Sequence, residues 1–93
     1  MKQVVINFEN IETRTQFYQV AARELSFPAH FGKNLDALWD VLSGEIELPV
    51  QVRFENLTLE KLEKFNSIIS MFEEACEELE NDFRFEYYLK KED

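Results

Sequence analysis

The stretch that most narrows the fold is residues 3–8, Q-V-V-I-N-F, which is β-branched and almost continuously apolar. Such a run suits a strand buried on both faces, as in a parallel sheet, and it places this strand centrally. A second strand follows Pro49, where Val50, Val52 and Phe54 alternate with Gln51 and Arg53 in the pattern of a half-exposed edge. In a third, F-R-F-E-Y-Y-L, Phe83, Phe85, Tyr87 and Leu89 alternate. The segments between these strands have helical periodicity. Strands separated by helices predict parallel pairing with right-handed crossovers, hence a small α/β layer structure. No linker, repeat or low-complexity tract divides the chain, so residues 1–93 are expected to form a single domain with a free tail from Lys90 to Asp93.

Four helical segments fill the intervals. After a turn from Asn10 to Thr13, Thr13 and Gln16 have capping-box spacing, and Phe17, Val20, Ala21 and Leu25 form an apolar stripe that ends before Pro28. Thr58 is placed to cap a short helix with Leu59, Leu62 and Phe65 on one side. Asn66 or Ser67 then starts a longer helix whose buried stripe is Ile68, Phe72, Ala75, Cys76 and Leu79. Its other side carries Glu73, Glu74, Glu77 and Glu78, as a solvated helix face does.

The fourth segment, L-D-A-L-W-D-V-L-S-G, starts after Asn34, a good N-cap, and stops at Gly44. Leu35, Leu38, Trp39 and Leu42 form its core-facing stripe. Asp36 and Asp40 fall together on the opposite side. Like charges at i and i+4 cost an isolated helix roughly 0.2–0.5 kcal/mol, so the pair calls for an explanation. Asp36 has one in the first turn, where the helix dipole favours a carboxylate. Asp40, in mid-helix, has none.

Ten basic residues against nineteen acidic ones give a net charge of −9. That field repels phosphates and argues against nucleic-acid binding, while favouring a basic partner. Nine Phe, three Tyr and one Trp supply enough apolar surface for a folded core. Cys76 is alone, which rules out an intramolecular disulfide framework and fits a reducing, cytoplasmic setting. Neither a secretory signal nor a membrane-spanning stretch is visible. His30 has no Cys or second His at metal-ligand spacing, and no nucleophile is placed to use it as a base. Neither a catalytic set, a metal site nor a cofactor is therefore expected. Paired carboxylates serve glycosidases, but Asp36 and Asp40 lie one turn apart on one convex helix surface with no second lobe to hold a sugar.

From Phe31 through Asp40 the chain reads F-G-K-N-L-D-A-L-W-D. This segment resembles the hallmark of the barstar family of intracellular ribonuclease inhibitors, aromatic-Gly-x-Asn-Leu-Asp-Ala-Leu-Trp-Asp, and the β-α-α-β-α-α-β order extends the likeness over essentially the whole chain. The resemblance implies a three-stranded parallel sheet packed with about four helices. It also implies a monomeric, non-enzymatic inhibitor that plugs the active site of a basic, extracellular-type ribonuclease one-to-one, without nucleic acid, membrane or cofactor. Asp40 matches the central carboxylate that takes the place of an RNA phosphate, and Asp36 matches a second contacting carboxylate. His30 falls where the family prototype has a contacting Tyr, and Glu74 matches a further acidic contact. The partner-binding set so implied is His30, Phe31, Gly32, Lys33, Asn34, Asp36, Asp40, Ser43, Glu45 and Glu74, with Leu35, Leu38 and Trp39 mainly in support.

Three positions depart from the pattern. Lys33 is basic where the prototype is acidic, Glu45 replaces an aromatic contact, and Glu80-Asn81-Asp82 stands where a Gly often precedes the last strand, with Asn81 able to adopt the left-handed conformation. Lys33 either meets a carboxylate on a different ribonuclease or shields Asp36. These departures keep a second reading in view, a barstar-like interaction domain that binds another basic protein or toxin without inhibiting a ribonuclease.

Overall fold

A computed structural model describes residues 1–91. The order is β1 (Lys2–Asn7), α1 (Arg14–Glu24), α2 (Leu35–Gly44), β2 (Val50–Leu57), α3 (Leu59–Lys64), α4 (Asn66–Leu79), a short 3-10 turn (Glu80–Asp82) and β3 (Phe83–Leu89). The three strands form one sheet in the order β1-β2-β3, with both pairings parallel. Parallel strands laid down in sequential order with crossovers of one hand carry every connection to the same side of the sheet. Accordingly Val4, Ile6, Val50, Val52, Phe54 and Phe83 are buried in one cluster with residues of α1, α2 and α4, while Val5 on the other face is 44% exposed.

Two expectations are corrected here. β2 is the central strand, and β1 is an edge. Alternation reports which faces of a strand are covered, not how many neighbours flank it. With helices on one face only, even a central strand alternates, and the apolar run in β1 includes the exposed Val5.

The core is largely aromatic. Phe54 lies 4.9 Å from Phe8, 5.7 Å from Phe17, 4.9 Å from Phe72 and 4.8 Å from Phe85, measured between ring centroids. Through these rings the central strand is tied to α1, α4 and β3. Tyr18, outside the expected stripe of α1, is also buried, whereas Val20 is only half-buried.

Local signals account for most helix starts. Thr13 Oγ1 accepts from the Gln16 N–H at 3.1 Å, and Gln16 Oε1 accepts from the Thr13 N–H at 3.1 Å, completing the capping box. Thr58 Oγ1 accepts from the Lys61 N–H at 3.1 Å. Neither Asn66 nor Ser67 caps α4, because that helix follows directly on α3 through Phe65, which has no side-chain cap. The positive-φ residue before β3 is Glu80, at φ 49° and ψ −119°, rather than Asn81 in the left-handed conformation. Gly44 ends α2 without a positive φ.

In α3 the apolar reading is reversed at two positions. Leu59 is 75% exposed and Lys61 is buried. The Lys61 ammonium donates to the Phe8 and Glu9 carbonyls and lies 3.3 Å from Glu12, so it fixes the turn that follows β1. The tail expected at 90–93 is tied at its start, where the Lys90 N–H donates to the Leu57 carbonyl at 2.9 Å. Glu92 and Asp93 lie outside the described residues.

The uncovered face of the sheet carries a polar network across β2 and β3. Glu86 accepts from Gln51 Nε2 at 2.9 Å and from the Tyr88 hydroxyl at 2.8 Å. The Arg53 guanidinium donates to Glu55 at 3.2 Å and lies 5.8 Å from the Tyr88 ring centroid. Arg53 Nε is 3.4 Å from Glu86, an ion-pair distance without hydrogen-bond geometry.

Two predictions follow from this packing. Phe54→Ala removes the ring shared by four others and should cost about 3–5 kcal/mol, a large part of the stability of so small a domain; the midpoint of urea unfolding measures it. The second concerns acid. The Tyr88 hydroxyl, followed by Arg53 and Gln51, holds the Glu86 carboxyl below its ordinary value of 4.5. A depressed carboxylate contributes stability above that ordinary value and loses it as pH falls through the lowered one. The melting-temperature advantage of the wild type over Glu86→Gln should therefore be constant above about pH 5 and shrink on further acidification.

Candidate functional site

The site is built on α2. Leu38, Val41 and Leu42 are buried and anchor the helix to the core, and α2 packs against α4. Val41 takes the place expected of Leu35 and Trp39, which are half-buried at the margin of the core. This rotation leaves Asp36 and Asp40 exposed, and neither makes an ion pair or side-chain hydrogen bond among the described residues.

The loop before the helix is clamped at Asn34. Its Oδ1 accepts from the Ala37 N–H at 2.8 Å, which caps the helix, and its Nδ2 donates to the Gly32 carbonyl at 3.3 Å. Between these bonds Lys33 adopts φ 54°, a left-handed conformation that a side-chain-bearing residue takes at a cost. A Cβ on Gly32 would meet Ala37 Cβ and Asn34 Nδ2 at 3.4 Å, so the loop lies close against the first turn of the helix.

Two depressions flank this loop. The first, of about 120 Å³, is lined by Pro28, His30, Phe31, Gly32, Ala37, Asp40, Val41 and Glu45. Over it His30 Nε2 stands 3.8 Å from Glu45 Oε2, so the two residues that replace aromatics of the family pattern face each other. The second, broader and about 510 Å³, is lined by Arg14, Thr15, Tyr18, Lys33, Asn34, Leu35 and Asp36. Asp36 and Asp40, one turn apart, thus open on different depressions. Lys33 shares a depression with Asp36 but comes within ion-pair distance of no carboxylate among the described residues. Burial pushes the Tyr18 hydroxyl above its ordinary pKa, with Arg14 opposing.

The remaining candidates lie apart. Ser43 Oγ donates to the Trp39 carbonyl at 2.7 Å and is spent on its own helix. Glu74 is exposed on α4 and lines neither depression. Arg14 was not legible as a neighbour of Lys33, since nothing in the sequence says that the first turn of α1 comes beside that of α2. The charges are unevenly placed. Residues 34–49 and 65–83 hold ten acidic side chains (Asp36, Asp40, Glu45, Glu47, Glu73, Glu74, Glu77, Glu78, Glu80 and Asp82) and no Lys or Arg.

Comparison with known proteins gives this arrangement a family. The family model described as "Barstar (barnase inhibitor)" matches residues 1–90. The chain is also 32% identical over 90 residues to the Bacillus subtilis (strain 168) protein named "Putative ribonuclease inhibitor YrdF", covering 90% of this chain and 96% of that one. The chain belongs to the barstar family, whose members are ribonuclease inhibitors and not enzymes.

The clamp at Asn34 can be tested by itself. Asn34→Ala removes both the cap and the tie to Gly32, and should cost about 1 kcal/mol of stability, read from chemical denaturation.

Proposed function

We propose that this protein inhibits a basic ribonuclease, one-to-one and inside the producing cell, by seating the 28–34 loop and the exposed face of α2 in the enzyme's active site. The Asp40 carboxylate occupies the position of an RNA phosphate. The observation that carries this reading is Asp40 itself, an exposed carboxylate with no partner among the described residues, borne on a capped and buried-side-anchored helix. An ionised carboxylate accepts a paired, charge-assisted hydrogen bond from Arg much as a phosphate does. A helix fixed by Leu38, Val41 and Leu42 presents it already positioned.

The electrostatics support the same reading. Asp36 and Asp40 repel each other in the free protein, and a cationic partner relieves that repulsion on binding. The acidic surface of α2 and α4, with no Lys or Arg in either helix, speeds encounter with a basic enzyme. Glu45 Oε2 stands 3.8 Å from His30 Nε2, whereas Asp40 and Asp36 have no partner among the described residues.

The test is inhibition of RNA cleavage by barnase, the enzyme in the family's description, and of any ribonuclease recovered on the immobilised protein from its own cell extract. Asp40→Ala should weaken binding by about 30-fold or more while changing stability by less than about 0.5 kcal/mol. A variant that binds normally, or one that unfolds, removes Asp40 from this role. A recovered partner without nuclease activity points to the interaction-domain reading instead.

A further inference from the structure

The least expected charges in this acidic chain are Arg14 and Lys33. They come from different elements, 19 positions apart, yet line one depression. Neither forms an ion pair among the described residues, although the chain has an excess of carboxylates. Each also stands where local physics disfavours it. Arg14 is the first residue of α1, at the positive end of the helix dipole, and the first turn of that helix has no acidic residue. Lys33 has φ 54° and immediately precedes the N-cap of α2, near the positive end of a second dipole. Only Asp36 offsets them in the depression, and it pairs with neither.

The geometry points to a selectivity device: the Arg14–Lys33 depression receives a carboxylate of the bound ribonuclease, beside the basic centre that takes Asp40. This rests on the proposed function and adds to it the kind of enzyme selected. The contact surface then changes sign along the loop. Phe31 and Gly32 border the depression that holds Asp40 and Glu45, and Lys33 and Asn34 border the cationic one. A partner that is basic throughout meets like charge at Lys33, and specificity of this kind comes from the repulsion as much as from the attraction. Because Asn34 clamps the loop on both sides of Lys33, its backbone is held in place before the partner arrives.

Double-mutant cycles against barnase test this. Arg14→Ala and Lys33→Ala are made in this chain, and each Asp and Glu of barnase is replaced singly by Asn or Gln. One carboxylate should stand out, its loss raising Kd about tenfold against the wild type and hardly at all against Arg14→Ala or Lys33→Ala. Binding with no such coupling overturns the inference. If the wild type leaves barnase uninhibited, the double reversal Arg14→Glu/Lys33→Glu should restore inhibition, and failure to do so overturns it equally. Asp40→Ala separates this result from the underlying reading. Loss of inhibition in that variant without carboxylate coupling keeps the plug and discards the selectivity device, whereas coupling with Asp40→Ala silent does the reverse. Melting curves of Arg14→Ala and Lys33→Ala, expected to match the wild type, exclude a folding defect.

Discussion

Everything in this structure depends on the sheet being covered on one side only. Three parallel strands in sequential order send their crossovers to the same face, so α1, α2 and α4 share one core with Phe54 of the central strand in its middle. Parallel sheets are ordinarily covered on both faces. Here the second face must be satisfied by side chains, and Gln51, Arg53, Glu86 and Tyr88 do so by bonding to one another across β2 and β3. The same geometry crowds the helices together on the covered side, where α2 is held against α4 and turns its unburied face outward.

Charge is distributed along the same division. Arg53 and its carboxylates lie on the open face, and Lys61 and Lys90 bind Glu12 and Glu9 near the turn that follows β1. These pairs serve the fold. Helices α2 and α4 contain no Lys or Arg, and their carboxylates form no ion pair among the described residues, which leaves them available to a basic surface. Exposed ion pairs contribute little to stability, and leaving these unmade therefore costs the fold little. The electrostatic consequence falls instead on association with a partner of opposite charge.

Sequence periodicity locates the strands and helices, but it misplaces coverage at positions such as Val5, Leu59 and Lys61 and says little of what lies beside each element. The three strands, the capping box at Thr13 and Gln16, and the Asn34 cap are local features, and they stand in the structure where the residues placed them. The lateral order of the strands is not local, so the apolar run in β1 reads as a central strand although β1 is an edge. Lys61 is a second case. Its burial depends on the Phe8 and Glu9 carbonyls, more than 50 positions away, which no helical wheel of α3 includes. At the site, the motif marks Asp36, Asp40 and the loop, but the separation of the two carboxylates into different depressions depends on how the loop folds back. The neighbourhood of Arg14 and Lys33 depends on the first turns of α1 and α2 bordering one depression, which leaves no mark in either segment.

The loop at Gly32 to Asn34 joins these levels. Its left-handed residue is a lysine rather than a glycine, so the chain holds a long cationic side chain on a backbone conformation that most residues avoid. The surrounding bonds over-determine that conformation, since Asn34 ties the carbonyl before Lys33 and caps the helix after it. Flexibility at this position would blur the boundary between the acidic and cationic depressions, because consecutive residues, Gly32 and Lys33, belong to their two linings. A fixed loop keeps the two signs apart over a stretch only a few residues long. In the proposed complex Asp40, in the middle of α2, then meets the basic centre, while Lys33, about two turns nearer the N-terminus, meets the charge beside it.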